Sequence, residues 1–139
     1  MALKIQPPIF KEFTLEKSDT ANGNTESPTK IRIRQATRGE HEARNHLFAE
    51  SKREFVGGRA YETVDLSRDD LRRKEVFLTL AYANIENADG EPLFKFKNDR
   101  LVDEFQFIIA WNQLDYIVAE EIIECVHDLN IQWDDLGNE

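Results

Sequence analysis

NDRLVDEFQFIIAWNQLDYIVAEEIIECVHDLNIQW, residues 98–133, is the densest apolar run of the chain and holds both tryptophans and the single cysteine. Leu101, Phe105, Ile108 and Ile109 recur at spacings of three and four, which is one face of an α-helix. Val102, Trp111 and Leu114 widen that face. Asp115 then stands where a helix cap belongs, ahead of Val118, Ile122, Val126 and Leu129, with Ile117 and Cys125 beside them. Two apolar-faced helices with almost no linker between them predict a corner or a tight hairpin.

Working back from this pair, Leu93-Phe-Lys-Phe-Lys97 alternates with Phe94 and Phe96 on one side, which predicts a short strand. Asn87-Ala-Asp-Gly90 supplies the turn before it. A long helix is expected from a cap at Ser67 to about Asn84, with Leu71, Val76, Phe77, Leu78 and Leu80 inward and Arg72, Arg73 and Lys74 outward. Residues 61–64 read as an extended connector. Thr37-Arg-Gly-Glu40 is a capping box that opens a helix with Ala43, Leu47 and Phe48 inward, ended by Gly57-Gly58. No Lys-Ser/Thr follows that glycine pair, so it does not read as a phosphate-cradling turn.

The first third of the chain reads as strands. KIRIRQ, residues 30–35, places Ile31 and Ile33 on one side and Arg32 and Arg34 on the other. Ile9, Phe13 and Leu15 follow Pro7-Pro8 as a second strand, and the polar residues 18–28 between them read as a mobile loop or hairpin tip. The expected fold is α+β and mainly α. It is a single domain over residues 1–139, with an N-terminal β-hairpin packed on about four helices, a short strand before the C-terminal helical pair, and a tail at 134–139.

At 139 residues, 40% hydrophobic and 32% charged, the composition fits a soluble globular domain. No apolar run approaches the roughly 18 residues a membrane span requires, and residues 1–13 lack the features of a signal peptide. One cysteine excludes an internal disulfide framework and suits a reducing cytoplasm. Net charge is −9 and unevenly spread. Residues 30–74 carry 12 Lys and Arg against 8 Asp and Glu, whereas residues 98–139 carry one base, Arg100, against 11 acids. Both sets can decorate solvated faces, or they can join copies head to tail into a homo-oligomer. Nucleic acid is not expected as a ligand of so acidic a chain.

Catalytic groupings are sparse. Glu121, Glu124 and His127 include one Glu-x-x-His, a spacing that can put a carboxylate and an imidazole on one metal, but a di-iron bundle needs two such motifs. A solvated acidic helix face is the expected reading. His41 and His46 are five apart, which turns them away from each other on a helix, so zinc is not expected. Cys125 sits among Ile122, Ile123 and Val126 as a small hydrophobe. No enzyme, cofactor or metal is expected. The aromatic residues are the better candidates for function: Phe94, Phe96, Phe107, Trp111, Tyr116 and Trp133 for a partner surface, and Phe105 for the buried helix face. Trp133 either belongs to such a surface, ringed by acid, or folds back to seal the helical pair.

The order of these features resembles the tail assembly chaperones of long-tailed bacteriophages. The resemblance covers residues 30–133 and rests on KIRIRQAT, RGEHEARNHLF, LRRKEVFLTLAYANI, DGEPLFKF and the closing helical stretch, with Trp111, Leu114, Asn130 and Trp133 at the family's places. Where the family carries Leu-Pro before its last helix, this chain has Leu114-Asp115, and Asp caps a helix as Pro starts one. The resemblance implies a non-enzymatic protein of the bacterial host cytoplasm. It would coat the long helical tape measure protein, keep it soluble, and recruit tail-tube subunits. A small acidic phage inhibitor or adaptor that blocks a basic site on a host partner is the alternative.

Overall fold

The structure is a computed structural model that describes the backbone of residues 2–53 and 60–133 and the side chains of residues 2–47 and 69–133. Its centre is β2 (Lys30–Arg34), the strand written by the Ile-Arg alternation. It lies between β1 (Phe10–Thr14) and β3 (Leu80–Ala83) in an antiparallel sheet of order β1-β2-β3. Phe13 pairs with Ile31 and Lys11 with Ile33, while Ile31 faces Ala83 and Ile33 faces Leu80 across a register shift. Ile31 and Ile33 are completely buried on one face. The other face carries Lys30, Arg32 and Arg34.

The helices are α1 (Glu16–Ala21), α2 (Arg38–Arg53), α3 (Ala60–Thr79), α4 (Glu104–Trp111) and α5 (Tyr116–Leu129). A second small sheet pairs β4 (Phe96–Lys97) with β5 (Arg100–Leu101) through Asn98 and Asp99. Both turn residues have positive φ, 54° and 61°, the left-handed geometry that Asn and Asp tolerate in a two-residue hairpin. Asp103 caps α4 through Gln106 N, and Asp115 caps α5 through Val118 N, each at 2.9 Å. The fold is therefore α+β, with the hairpin-like strands at the N-terminal end and the short strands leading into the α4–α5 pair.

Three elements differ from the sequence expectation. The helix expected to reach Asn84 stops at Thr79, and Leu80–Ala83 becomes β3. Val76, Leu80 and Ala83 are all buried, and their spacing of four and three also fits a helix, so periodicity could not separate the two. What decides it is the second edge of β2, whose backbone groups need a partner. At the other end α3 begins by Ala60, so the connector expected at 61–64 and the cap at Ser67 lie inside a helix. Residues 60–79 contain neither glycine nor proline to stop it. The Gly57-Gly58 helix end lies outside the described residues.

The third difference is α1, which occupies the start of the expected loop 18–28. Its N-terminal amides are satisfied from far along the chain. The Glu121 carboxylate accepts from Lys17 N at 3.2 Å, Ser18 N at 2.8 Å and Ser18 Oγ at 2.6 Å. The rest of the connection closes on Asp19, whose carboxylate accepts from Thr29 N, Thr29 Oγ1 and Asn24 Nδ2. Burial pushes the Asp19 carboxyl up, but the Thr29 and Asn24 hydrogen bonds together outweigh it and leave it below its usual range.

One core joins the sheet to α3, α4 and α5 around Leu15, Val76, Phe94, Phe107, Ile122 and Val126. Phe107 is its aromatic hub, with ring centroids 5.6 Å from Phe77 and 5.8 Å from both Phe94 and Trp111.

Candidate functional site

Six of the eight residues of α4, Glu-Phe-Gln-Phe-Ile-Ile-Ala-Trp, are apolar, more than a single buried stripe takes up. Such a helix belongs in a core or against a partner. Its inner side is filled by Phe107 and Ala110, with Ile108, Trp111 and Leu114 partly buried beside them. The face expected from Leu101, Phe105 and Ile109 is therefore rotated. Leu101 lies in β5, while Phe105 is 67% exposed and Ile109 and Val102 also face out. Phe105 and Ile109, four apart on α4, form an exposed ridge, Val102 in the turn before the helix lies along the same groove as Ile109, and Tyr116 and Ile117 at the start of α5 are also exposed. A groove of about 430 Å³ runs beside this ridge, its apolar lining including Val102 and Ile109 and its polar lining Lys95, Asp103, Gln106 and Gln113.

The six aromatic candidates separate on this description. Phe94, Phe107 and Trp133 are core residues, so they cannot form the exposed surface expected of them. Phe96 and Trp111 are half-buried and Tyr116 is exposed. Trp133 folds back. Its indole donates to His41 Nδ1 at 2.9 Å, its ring stands edge-on to His41, and the Arg44 guanidinium lies 5.4 Å from its centroid. Asn130 works beside it. Its amide oxygen accepts from Ala36 N at 2.8 Å, and its amide nitrogen donates to the Arg34 and Val126 carbonyls. Asn130 and Trp133 thus tie the end of α5 to the start of α2. The sequence reading puts Phe105 on the buried face and Phe107 on the partner surface, and the structure reverses them, with Val102 and Ile109 turned outward as well. Two residues apart on a helix, Phe105 and Phe107 cannot share a face.

The charges are arranged around buried carboxylates. Glu75, fully buried in α3, accepts from Arg44 Nε at 2.6 Å and Arg72 Nη1 at 3.3 Å. His127 Nε2 lies 2.7 Å from the Glu75 carboxylate and 2.8 Å from Arg72 Nη1, so the ring sits between the two groups. Burial pushes the Glu75 carboxyl up, but the His127 and Arg44 hydrogen bonds outweigh it and hold it below its usual range. Glu40 is held low in the same way, against its own burial, by a bidentate pair with Arg34 at 2.5 and 2.6 Å and by Thr37 N. Its capping box with Thr37 forms as expected.

The solvated reading of the α5 acidic face is therefore corrected for Glu121 and His127, both of which are buried. The Glu-x-x-His side chains also diverge: Glu124 pairs with exposed Lys17 while His127 turns to Glu75. Among the described residues no three His, Cys, Asp or Glu side chains gather as a metal site. The Cys125 thiol is pushed up to about 12 by burial and by Glu121 and Glu124, which leaves it unreactive as a thiolate. No described helix is long and apolar enough to cross a membrane. Comparison with known proteins finds no matching family model, no matching curated protein and no matching solved structure.

Proposed function

We propose that this chain is a non-enzymatic binding protein, a phage tail assembly chaperone of the host cytoplasm that holds an amphipathic helix of a tape measure protein against the outer face of α4. The observation that carries the reading is the exposed ridge of Phe105 and Ile109 on the short, capped helix α4, with Val102 exposed in the turn just before it. A rigid ridge of this spacing accepts the apolar stripe of a second helix. The groove beside it carries one acid and one base, Asp103 and Lys95, so apolar contact rather than net charge selects the helix it suits. Recruitment of tail-tube subunits belongs to the same proposal. The inhibitor reading is less well supported. Its natural surface is the acidic side of α5, where Glu124 and Asp128 are already paired with Lys17 and Lys11 of the same chain.

The test is Phe105→Asp, measured against helical fragments of the tape measure protein by fluorescence anisotropy. The substitution is on the surface and should leave thermal stability within about 0.5 kcal/mol of wild type. Loss of an aromatic anchor on the ridge should weaken binding by about tenfold or more. Binding unchanged by the variant, or wild-type protein that binds no fragment, would overturn the reading.

A further inference from the structure

Three connections meet around a cleft of about 580 Å³: the one after α1, the one from β3 to β4, and the corner between α4 and α5. Every residue that lines it except Ser18 is at least partly exposed, so the cleft is open surface rather than core. Its charged lining is of one sign. Asp19, Glu26, Glu86 and Asp115 supply four carboxylates, and no Lys, Arg or His lines it. Leu93, Leu114 and Val118 give it an apolar part. The first two walls are tied together by Asn84, which accepts from Lys30 N at 2.7 Å and donates to the Pro28 carbonyl at 3.3 Å.

We propose that this cleft is a docking site for a basic peptide segment of a protein partner, whose arginine guanidinium groups meet the carboxylates of Glu26, Glu86 and Asp115. The acids differ in what they have left to offer. Asp19 is spent on Thr29 and Asn24. Asp115 uses one oxygen to cap α5 through Val118 N and keeps the other. The Glu26 and Glu86 side chains have no hydrogen bond or ion pair to any described residue. Glu40, Glu75, Asp99 and Glu104, by contrast, each already hold a Lys or Arg of the same chain. Asn22 and Asn24 donate through their amide nitrogens within the first connection, which leaves their oxygens as acceptors. A guanidinium only donates, so it matches a lining of carboxylate and amide oxygens, and the arginine stem can lie on Leu93, Leu114 and Val118.

Charge selects the occupant here as it does not beside α4, where Lys95 and Asp103 offset each other. The cleft and the α4 groove share Leu93 and Gln113, so the two surfaces meet where Gln113 follows α4. A partner that lays an apolar stripe along α4 therefore brings the residues adjoining that stripe to the cleft. The inference does not depend on that partner being a tape measure protein, and a peptide with no apolar stripe tests it.

The probe is a labelled Gly-Arg-Gly-Arg-Gly-Arg peptide, followed by fluorescence anisotropy with the full chain, and the same peptide with citrulline for arginine is its uncharged control. Wild type should bind the arginine peptide, lose affinity as salt rises to physiological strength, and ignore the citrulline peptide. Glu26→Gln/Glu86→Gln should weaken binding by about tenfold or more, because both unpaired carboxylates are gone. Both positions are exposed, so its circular dichroism and thermal midpoint should match wild type. Glu124→Gln/Asp128→Asn removes as much charge from the outer side of α5 and should leave affinity within about twofold, since distant charges are screened. Binding of an arginine-free helical fragment to the α4 ridge should persist in the cleft variant, which separates failure of this site from failure of the chaperone reading. No binding by wild type, equal binding of the citrulline peptide, or an equal loss in the α5 variant would each overturn the proposal. So would displacement of the peptide by calcium ion at constant ionic strength, or a wild-type dimer that the peptide breaks, which assign the cleft to a metal cation or to a second copy.

Discussion

Glu75 is the residue on which the most separate parts of the molecule depend, since it gathers Arg44 from α2, Arg72 from its own helix and His127 from α5. Removing one partner of a buried ionic group leaves the others desolvated and unmatched, so Glu75→Gln should destabilise the fold by about 3–5 kcal/mol in urea unfolding. The pH dependence follows from the same carboxylate. Its pKa in the fold is lower than in the unfolded chain, as is that of Glu40. The stability they contribute is therefore complete above the ordinary glutamate value of about 4.3 and is lost as pH falls through the lower folded values. Wild-type unfolding midpoints should drop steeply below that pH, and Glu75→Gln should flatten the slope. An equally steep slope in the variant would show that other carboxylates govern acid unfolding. None of this was legible in the sequence, where Glu75 is one acid in a charged helix and Arg72 looks solvent-facing. Its burial depends on α2 and α5 arriving from elsewhere in the chain, and periodicity along one helix carries no record of that.

At the scale of elements, what the sequence revealed depended on how local the cause was. The capping box at Thr37, the cap at Asp115 and the alternation of β2 are written within a few residues, and they were readable. α1 was not, because the group that satisfies its first amides, Glu121, lies 103 residues from Ser18. That arrangement makes a prediction. Glu121→Ala should cost about 0.5–2 kcal/mol, the range for a lost helix cap, and should selectively speed amide exchange across α1. Hydrogen exchange with mass spectrometry reads this directly. If α1 exchanges no faster in the variant, the carboxylate is not what holds that helix. The boundary between α3 and β3 failed to show for a related reason: Val76, Leu80 and Ala83 are apolar at positions that suit either structure. The rotated face of α4 is the informative failure, because a helix with more apolar residues than its buried stripe takes up has a spare face, and that spare face is the candidate site.

At the scale of the whole molecule, the charge split seen in the sequence is largely turned inward. Arg32, Arg34, Arg44 and Lys74 of the basic section meet Asp99, Glu40, Glu75 and Glu104, two of them in the acidic section. Basic and acidic stretches that could have joined neighbouring copies instead join elements of one copy. Net charge remains −9, which repels like copies. Salt shortens the reach of that field to a Debye length of about 8 Å at physiological strength. Helix binding to the α4 ridge should change by less than about threefold between low and physiological salt, since its anchors are apolar. A protein working as an acidic blocker of a basic site would behave oppositely, losing affinity steeply as salt screens its contacts. Anisotropy measured at low and at physiological salt separates the two. A steep loss of helix binding would mean that the acidic surface, rather than the α4 ridge, makes the contacts.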